Sequence, residues 1–332
     1  MKKSLIKIST MLLLTILMLS SFIFTSTVNA QSNYVTQGKL IAPDMGTDEI
    51  VPLEIEDETI MEYDATTGIT REVDLDALRE KIFSKQTRSG ARYDRIEPYD
   101  PLTDSDSNSI GSITPYATYN LVSNTSSMPY RAVCRIKADK YGKTVVASGY
   151  IAGPGVLVTA AHCVMNEDDN DAFFADWVAY PGYTNGSSYQ GVSSGWSKVY
   201  YPNGYKTTHL PQYDWCICIL NSPIGNTTGW CGTQSYGSNS EMNGLSVRLL
   251  GYPLSPGVGE KQYYTTGTIT NTHDLYFDST AKSVEGFSGG PVTRTSDDYV
   301  VGINRGHYNS NPDTEVAVRI TQDMINIILE NS

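Results

Sequence analysis

The chain has 332 residues, with 36 Asp and Glu against 24 Lys and Arg and a net charge of −12. That balance excludes a nucleic-acid binder, which needs a basic face to meet phosphate. The length leaves room for one large or two ordinary domains.

In chain order the first element is a leader. Lys2, Lys3 and Lys7 precede the apolar run Met11–Phe24, and Val28-Asn29-Ala30 puts small or β-branched residues where a signal peptidase cuts. Residues 1–30 therefore read as a secretory signal, which predicts a secreted, extracellular protein. The run is shorter than the about 20 residues that span a bilayer. No later stretch is long and apolar enough, so no membrane association is expected once the signal is removed.

Residues 31–108 carry 18 acidic against 8 basic side chains and no cysteine. One helix is predicted within V-D-L-D-A-L-R-E-K-I-F-S-K, where Leu75, Leu78 and Ile82 share a face. The polar stretches T-R-S-G-A-R-Y-D-R and D-P-L-T-D-S-D-S-N-S that follow read as exposed linker. In a secreted precursor this arrangement reads as an acidic propeptide cut off between Arg88 and Ile110; the alternative is an ordinary acidic domain on a flexible hinge.

Residues 109–332 hold all five cysteines and most of the tyrosines. Short β-branched runs such as K-T-V-V-A-S-G-Y-I-A-G, L-S-V-R-L-L-G-Y-P, Y-V-V-G-I-N-R-G and T-E-V-A-V-R-I, bounded by Gly, Pro or Asn, predict an all-β barrel or sandwich. One helix closes the chain, capped by Thr321 and striped by Met324, Ile325, Ile328 and Leu329.

Within this part, V-E-G-F-S-G-G-P (Val284 to Pro291) fits two motifs, the G-x-S-x-G elbow of α/β-hydrolases and the G-x-S-G-G-P loop of chymotrypsin-like proteases. Both make Ser288 a nucleophile. The elbow requires the order Ser, acid, His within alternating strands and helices. Only 44 residues follow Ser288, offering His307 with Asp297, Asp298 or Asp313, and no βαβ pattern surrounds them. The order His, Asp, Ser is met instead. V-L-V-T-A-A-H-C-V ends an apolar strand at His162, and Y-D-W-C-I-C-I-L begins one at Asp214; the separations of 52 and 74 residues leave room for the strands of two small barrels.

T-A-A-H-C, Y-D-W and G-F-S-G-G-P are similar to the triad motifs of the trypsin-like serine protease superfamily. M-P-Y-R-A-V, N-S-P-I-G-N-T-T-G-W and V-R-L-L-G-Y-P further resemble the bacterial branch of V8-like glutamyl endopeptidases. The resemblance runs from about Ser109 to the C-terminus. It implies two six-stranded antiparallel barrels with the active site between them, and a serine endopeptidase that acts on protein or peptide substrates, as a monomer and without cofactor. A catalytically silent homologue that binds peptides in the same cleft is the alternative.

In that chemistry His162 takes the Ser288 proton and later protonates the leaving amine, and Asp214 holds the imidazole. The N–H groups of Gly286 and Ser288 bind the oxyanion. Phe287 stands where animal trypsins have an Asp that captures a new amino terminus, so activation must work otherwise. The branch receives an acidic residue before the scissile bond with a hydroxyl, present here as Ser283, and a histidine, replaced here by Asn304. Lys282 is the candidate to restore an acidic preference. A neutral pocket of Ser283 and Asn304, with Lys282 in solvent, is the alternative, and His307 could also reach inward.

His209, His273 and His307 read as surface residues. No H-E-x-x-H or paired C-x-x-C spacing suggests a catalytic metal, and a loop-bound structural calcium would leave no mark. The odd cysteine count leaves at least one thiol unpaired. A Cys134–Cys163 bridge is expected to tie down the histidine loop, and Cys231 can join only one of Cys216 and Cys218, which share a strand face. The alternative is that these last three are buried small hydrophobes.

Overall fold

The computed structural model describes residues 58–89, 94–102, 119–254, 260–307 and 313–332. All of these fall within one unit, Met45–Ser332. The expected signal peptide, the chain up to Asp57 and most of the expected linker lie outside the described residues.

Four short strands come first: β1 (Ile60–Asp64), β2 (Ile69–Glu72), β3 (Arg95–Ile96) and β4 (Asn120–Leu121). The next set is β5 (Val133–Lys140), β6 (Lys143–Gly153), β7 (Val156–Thr159), the small pair β8 (Met165–Asn166) and β9 (Ala172–Phe173), β10 (Ala175–Pro181), β11 (Trp196–Pro202) and β12 (Cys216–Leu220). Six of them form an antiparallel ladder in the order β10-β5-β6-β7-β12-β11. After β13 (Thr233–Gln234) come β14 (Ser246–Gly251), β15 (Tyr263–Thr272), β16 (Tyr276–Ser279), β17 (Pro291–Arg294), β18 (Val300–His307) and β19 (Glu315–Arg319). Their ladder, β17-β14-β15-β16-β19-β18, is closed by β17–β18 pairing into a six-stranded barrel.

Side-chain alternation explains both sets. The first core gathers Ile136, Leu157, Val199 and Ile217, and the second Val247, Leu249, Ile269, Phe277, Val292 and Val301. β7 is buried at every residue and β12 nearly so, which is why both read as continuous apolar runs rather than alternating ones. A third cluster, with Val133 of β5 beside Leu250 and Tyr252, joins the two halves. The C-terminal helix Gln322–Glu330 forms as expected. Thr321 Oγ1 accepts from Met324 N at 3.4 Å, and Met324, Ile325, Ile327 and Ile328 enter the first core.

The predicted N-terminal helix is present as Leu75–Ser89, but its segment is knit into the body. β1 pairs with β11 along its whole length, so the hairpin β1–β2 extends the first ladder. Ile60 and Ile96 belong to the first core, and Leu75 and Leu78 pack against it. The helix runs beside the C-terminal one, with Arg79 bidentate on Asp323 (2.9 and 2.7 Å) and both Lys81 and Lys85 on Glu330. Such exposed pairs contribute about 0–1 kcal/mol each, so the buried isoleucines do most to hold the segment. Downstream, β3 pairs with β13, Tyr99 stacks on Trp230 at 4.3 Å, and the buried Arg131 binds Asp100.

A stability measurement separates a knitted segment from an appended one. In the full-length chain, Ile60→Ala is expected to lower the unfolding free energy by about 2–5 kcal/mol. Phe83→Ala, at a side chain 59% exposed on the helix, should stay within about 0.5 kcal/mol. Urea unfolding that moved by the same small amount for both would show that the hairpin adds nothing to the fold.

Candidate active site

The β7–β12 register pairs Thr159 with Cys216, so the residues just beyond those ends, His162 and Asp214, meet. His162 lies in a single turn, Ala161–Cys163, and Asp214 follows another, Pro211–Tyr213. Asp214 Oδ2 is 2.6 Å from His162 Nδ1, and Oδ1 accepts the His162 backbone N–H at 3.0 Å. One carboxylate thus grips ring and main chain together. Nε2 of His162 is buried and has no hydrogen-bond partner among the described residues, which leaves it able to accept a proton.

The electrostatics follow from burial and neighbours. Burial alone would raise the Asp214 carboxyl, but the His162 imidazole, with Arg305 behind it, holds it below the usual carboxylate range. Burial alone would lower His162, yet the adjacent Asp214 charge reverses this and raises the imidazole well above its ordinary value. Arg305, only 2% exposed on β18, has Nε at 3.6 Å from Asp214 Oδ2. Its signal in the sequence was a lone charge inside an apolar strand.

Ser288 lies between β16 and β17 in a loop fastened to both halves of the molecule. Ser148, fully buried on β6, donates its N–H to Ser288 O (2.8 Å) and its hydroxyl to Gly286 O (2.7 Å). The same hydroxyl accepts from Tyr252 N at 2.9 Å, and Ser148 O accepts from Thr159 Oγ1 at 2.7 Å. Gly289, at φ +78°, comes so close to the histidine strand that a Cβ there would lie 2.1 Å from Thr159 Oγ1 and 2.9 Å from Ala160 N. The Ser288 loop therefore abuts the chain two residues before His162. Gly286, at φ +96°, would put a Cβ 2.3 Å from Tyr252 O, so only glycine fits. Phe287 is wholly buried in the second core and anchors the loop by packing, without an ion pair. Among the described residues, the N–H groups of Gly286 and Ser288 make no backbone hydrogen bond.

The expected pocket residues are also accounted for. Asn304 is bound to the nucleophile loop through Gly289 N→Asn304 O (2.8 Å) and Asn304 N→Gly290 O (2.9 Å), and its buried Nδ2 has no partner among the described residues. Ser283 donates its hydroxyl to Glu315 Oε2 at 2.5 Å. Lys282 pairs with Asp313 at 2.5 Å, so its charge is already matched. His209 is half-buried and meets Asp171 at 2.9 Å. Among the described residues, no group of three or more His, Cys, Asp or Glu side chains gathers as a metal-binding set.

The expected Cys134–Cys163 bridge is absent: Cys134, Cys163, Cys216, Cys218 and Cys231 are all free and buried. The histidine turn needs no bridge, because Trp177 Nε1 donates to Cys163 O at 2.9 Å and Phe174 N to Val164 O at 2.9 Å. No disulfide draws on Cys216, Cys218 or Cys231 either, and burial raises the Cys134, Cys216 and Cys231 thiols well above their ordinary range.

Residues 144–303 match the family described as the trypsin-like peptidase domain, a span that contains the histidine turn, the aspartate and the nucleophile loop. The chain carries a trypsin-like peptidase domain. It is 32% identical over 210 residues to the extracellular metalloprotease of Bacillus subtilis, covering 62% of this chain and 65% of that one. It is 31% identical over 175 residues to the glutamyl endopeptidase of Bacillus licheniformis, covering 53% and 52%. The chain thus spans less than two thirds of these relatives' lengths. Among solved structures, a Glu endopeptidase in complex with MPD superposes with a TM-score of 0.56 at 23% identity, over 64% of this chain and 95% of that one. The protease Anisep from Arthrobacter nicotinovorans does so at 0.51 and 25% identity, over 60% and 95%. These neighbours share the trypsin-like two-barrel architecture, in agreement with the closed second barrel and the C-terminal helix.

The raised imidazole has a kinetic consequence in a trypsin-like site. Protonated His162 cannot act as base, so kcat/KM should rise with pH through a limb above the unperturbed value of about 6.5. Asp214→Asn removes the charge that raises it and should move that limb to lower pH while kcat falls. A limb unmoved in this variant would separate the rate from the pair.

Proposed function

We propose that the protein is a secreted serine endopeptidase that hydrolyses peptide bonds through an acyl-enzyme on Ser288. The observation that carries this reading is the double grip of Asp214 on His162, with the Ser288 loop fastened alongside by Ser148. Ser288 Oγ attacks the carbonyl carbon as His162 Nε2 takes its proton. The oxyanion is received by the Gly286 and Ser288 N–H groups, each donor worth about 3 kcal/mol in comparable sites. His162 then protonates the leaving amine, and water repeats the sequence to release the acid. A catalytically silent homologue would have no need of this complete constellation.

The name metalloprotease belongs to the Bacillus subtilis relative; among the described residues the His, Cys and carboxylate side chains are scattered and do not fit a protein-bound catalytic metal. Secretion is supported by the basic residues and apolar run at the start of the sequence, and by the word extracellular in that relative's name. Protein or peptide substrates follow from the reaction, and the chain acts as a monomer. Among the described residues no helix is long and apolar enough to cross a membrane.

Ser288→Ala and His162→Ala should each lower kcat by about six orders of magnitude, with Asp214→Asn close behind, because the three act as a unit. A fluorophosphonate probe should label the wild type and not Ser288→Ala, and a chelator should leave turnover unchanged. Undiminished activity in purified Ser288→Ala would refute the assignment.

We further propose that activity accompanies a cut between Arg88 and Ile110. The active secreted form should lack Tyr34 by intact mass. A fully active enzyme that retained Tyr34 would overturn this maturation.

A further inference from the structure

We propose that Glu315 selects the residue accepted before the scissile bond, and that the enzyme prefers Lys or Arg there. The inference rests on Ser288 as the nucleophile. Two stretches of chain flank that residue: the approach through Ser283 to Gly286, and the end of β18 from Asn304 to His307, to which the nucleophile loop is hydrogen-bonded. Glu315 opens β19 between them. It lies across from His307 in the β18–β19 register and from Ser279 in the β16–β19 register, and its carboxylate takes the hydroxyl of Ser283. It is 2% exposed.

A carboxylate offers about four acceptor positions, and the hydroxyl and backbone N–H of Ser283 take two of them. Burial pushes the Glu315 carboxyl up against the opposing effects of Ser283, His307 and Lys282, as expected where cationic support is short. Lys282 does not restore the balance. Its ammonium is paired with Asp313, so its charge is shared between that carboxylate and Glu315. An ammonium or guanidinium entering beside Ser283 would satisfy the spare acceptors with charge-assisted bonds. An acidic side chain would meet a second buried carboxylate, a like-charge contact that discriminates against it. The same wall holds Asn304, whose Nδ2 is buried without a partner among the described residues and can serve the neutral part of an incoming side chain.

The test is a peptide library, varied at the residue before the cut, given to the purified active enzyme. Cleavage after Lys or Arg should exceed cleavage after Glu or Asp at least tenfold. Glu315→Gln should lower kcat/KM for Lys and Arg about thirtyfold or more, the loss expected when one partner of a buried charge pair is removed, with a much smaller change for apolar residues. Benzamidine should inhibit the wild type at least tenfold more tightly than uncharged benzamide, an arm that requires no variant to fold. A wild type that cuts preferentially after Glu or Asp, or a Glu315→Gln profile unchanged from wild type, would overturn the proposal. Fluorophosphonate labelling of the same samples reports the nucleophile separately, so wrong selectivity is distinguished from a wrong catalytic assignment.

Discussion

One buried serine holds the site together. Ser148 uses its N–H, its carbonyl and both capacities of its hydroxyl to join the nucleophile loop, the strand leading to the histidine and the chain after β14. Each unmet polar group there would cost about 1–3 kcal/mol, so the segments are positioned only when all four bonds form together. The Ser288 and His162 loops come from different halves of the molecule, and this residue is bonded both to the Ser288 loop and to the strand that leads to His162. The close approach at Gly289 completes the contact, because a side chain there would displace the histidine strand.

Around that frame the charges are arranged so that none is buried alone. A carboxylate as deep as Asp214 would ordinarily hold a proton, which would make it useless for orienting an imidazole. The His162 ring and N–H, with Arg305 nearby, keep it ionised, and the ionised carboxylate in turn makes His162 a stronger base. Removing either partner would strand the other in a poorly solvating environment, which couples His162 and Asp214 energetically. Glu315 meets the same problem of burial a short way along the wall, where Ser283 binds its carboxylate and His307 and Lys282 supply positive charge nearby.

The parts legible in the sequence are those whose demands are local. T-A-A-H-C, Y-D-W and G-F-S-G-G-P each spell out a turn whose neighbours are set by a few adjacent residues, and the two helices announce themselves by spacing and, at Thr321, by a cap. The parts not legible depend on register between distant strands. Ser283 and Glu315 meet across 32 positions, and Arg305 of β18 lies beside Asp214 from the other half of the molecule. Cysteine positions say nothing of mutual distance, so a bridge to Cys163 was a reasonable expectation that hydrogen bonding made unnecessary. The packing of the acidic segment was not legible either, because its net charge hides the few isoleucines that enter the first core.

The β1–β11 pairing also bears on solubility. β11 would be an open sheet edge without its neighbour, with the main-chain donors and acceptors of Trp196–Pro202 facing outward beside Tyr200 and Tyr201. Such an edge templates association with other chains. The hairpin therefore acts as an edge guard as well as a piece of the core. Without it the ladder would end at the seven-residue β11 instead of at the short, exposed β2 of four residues.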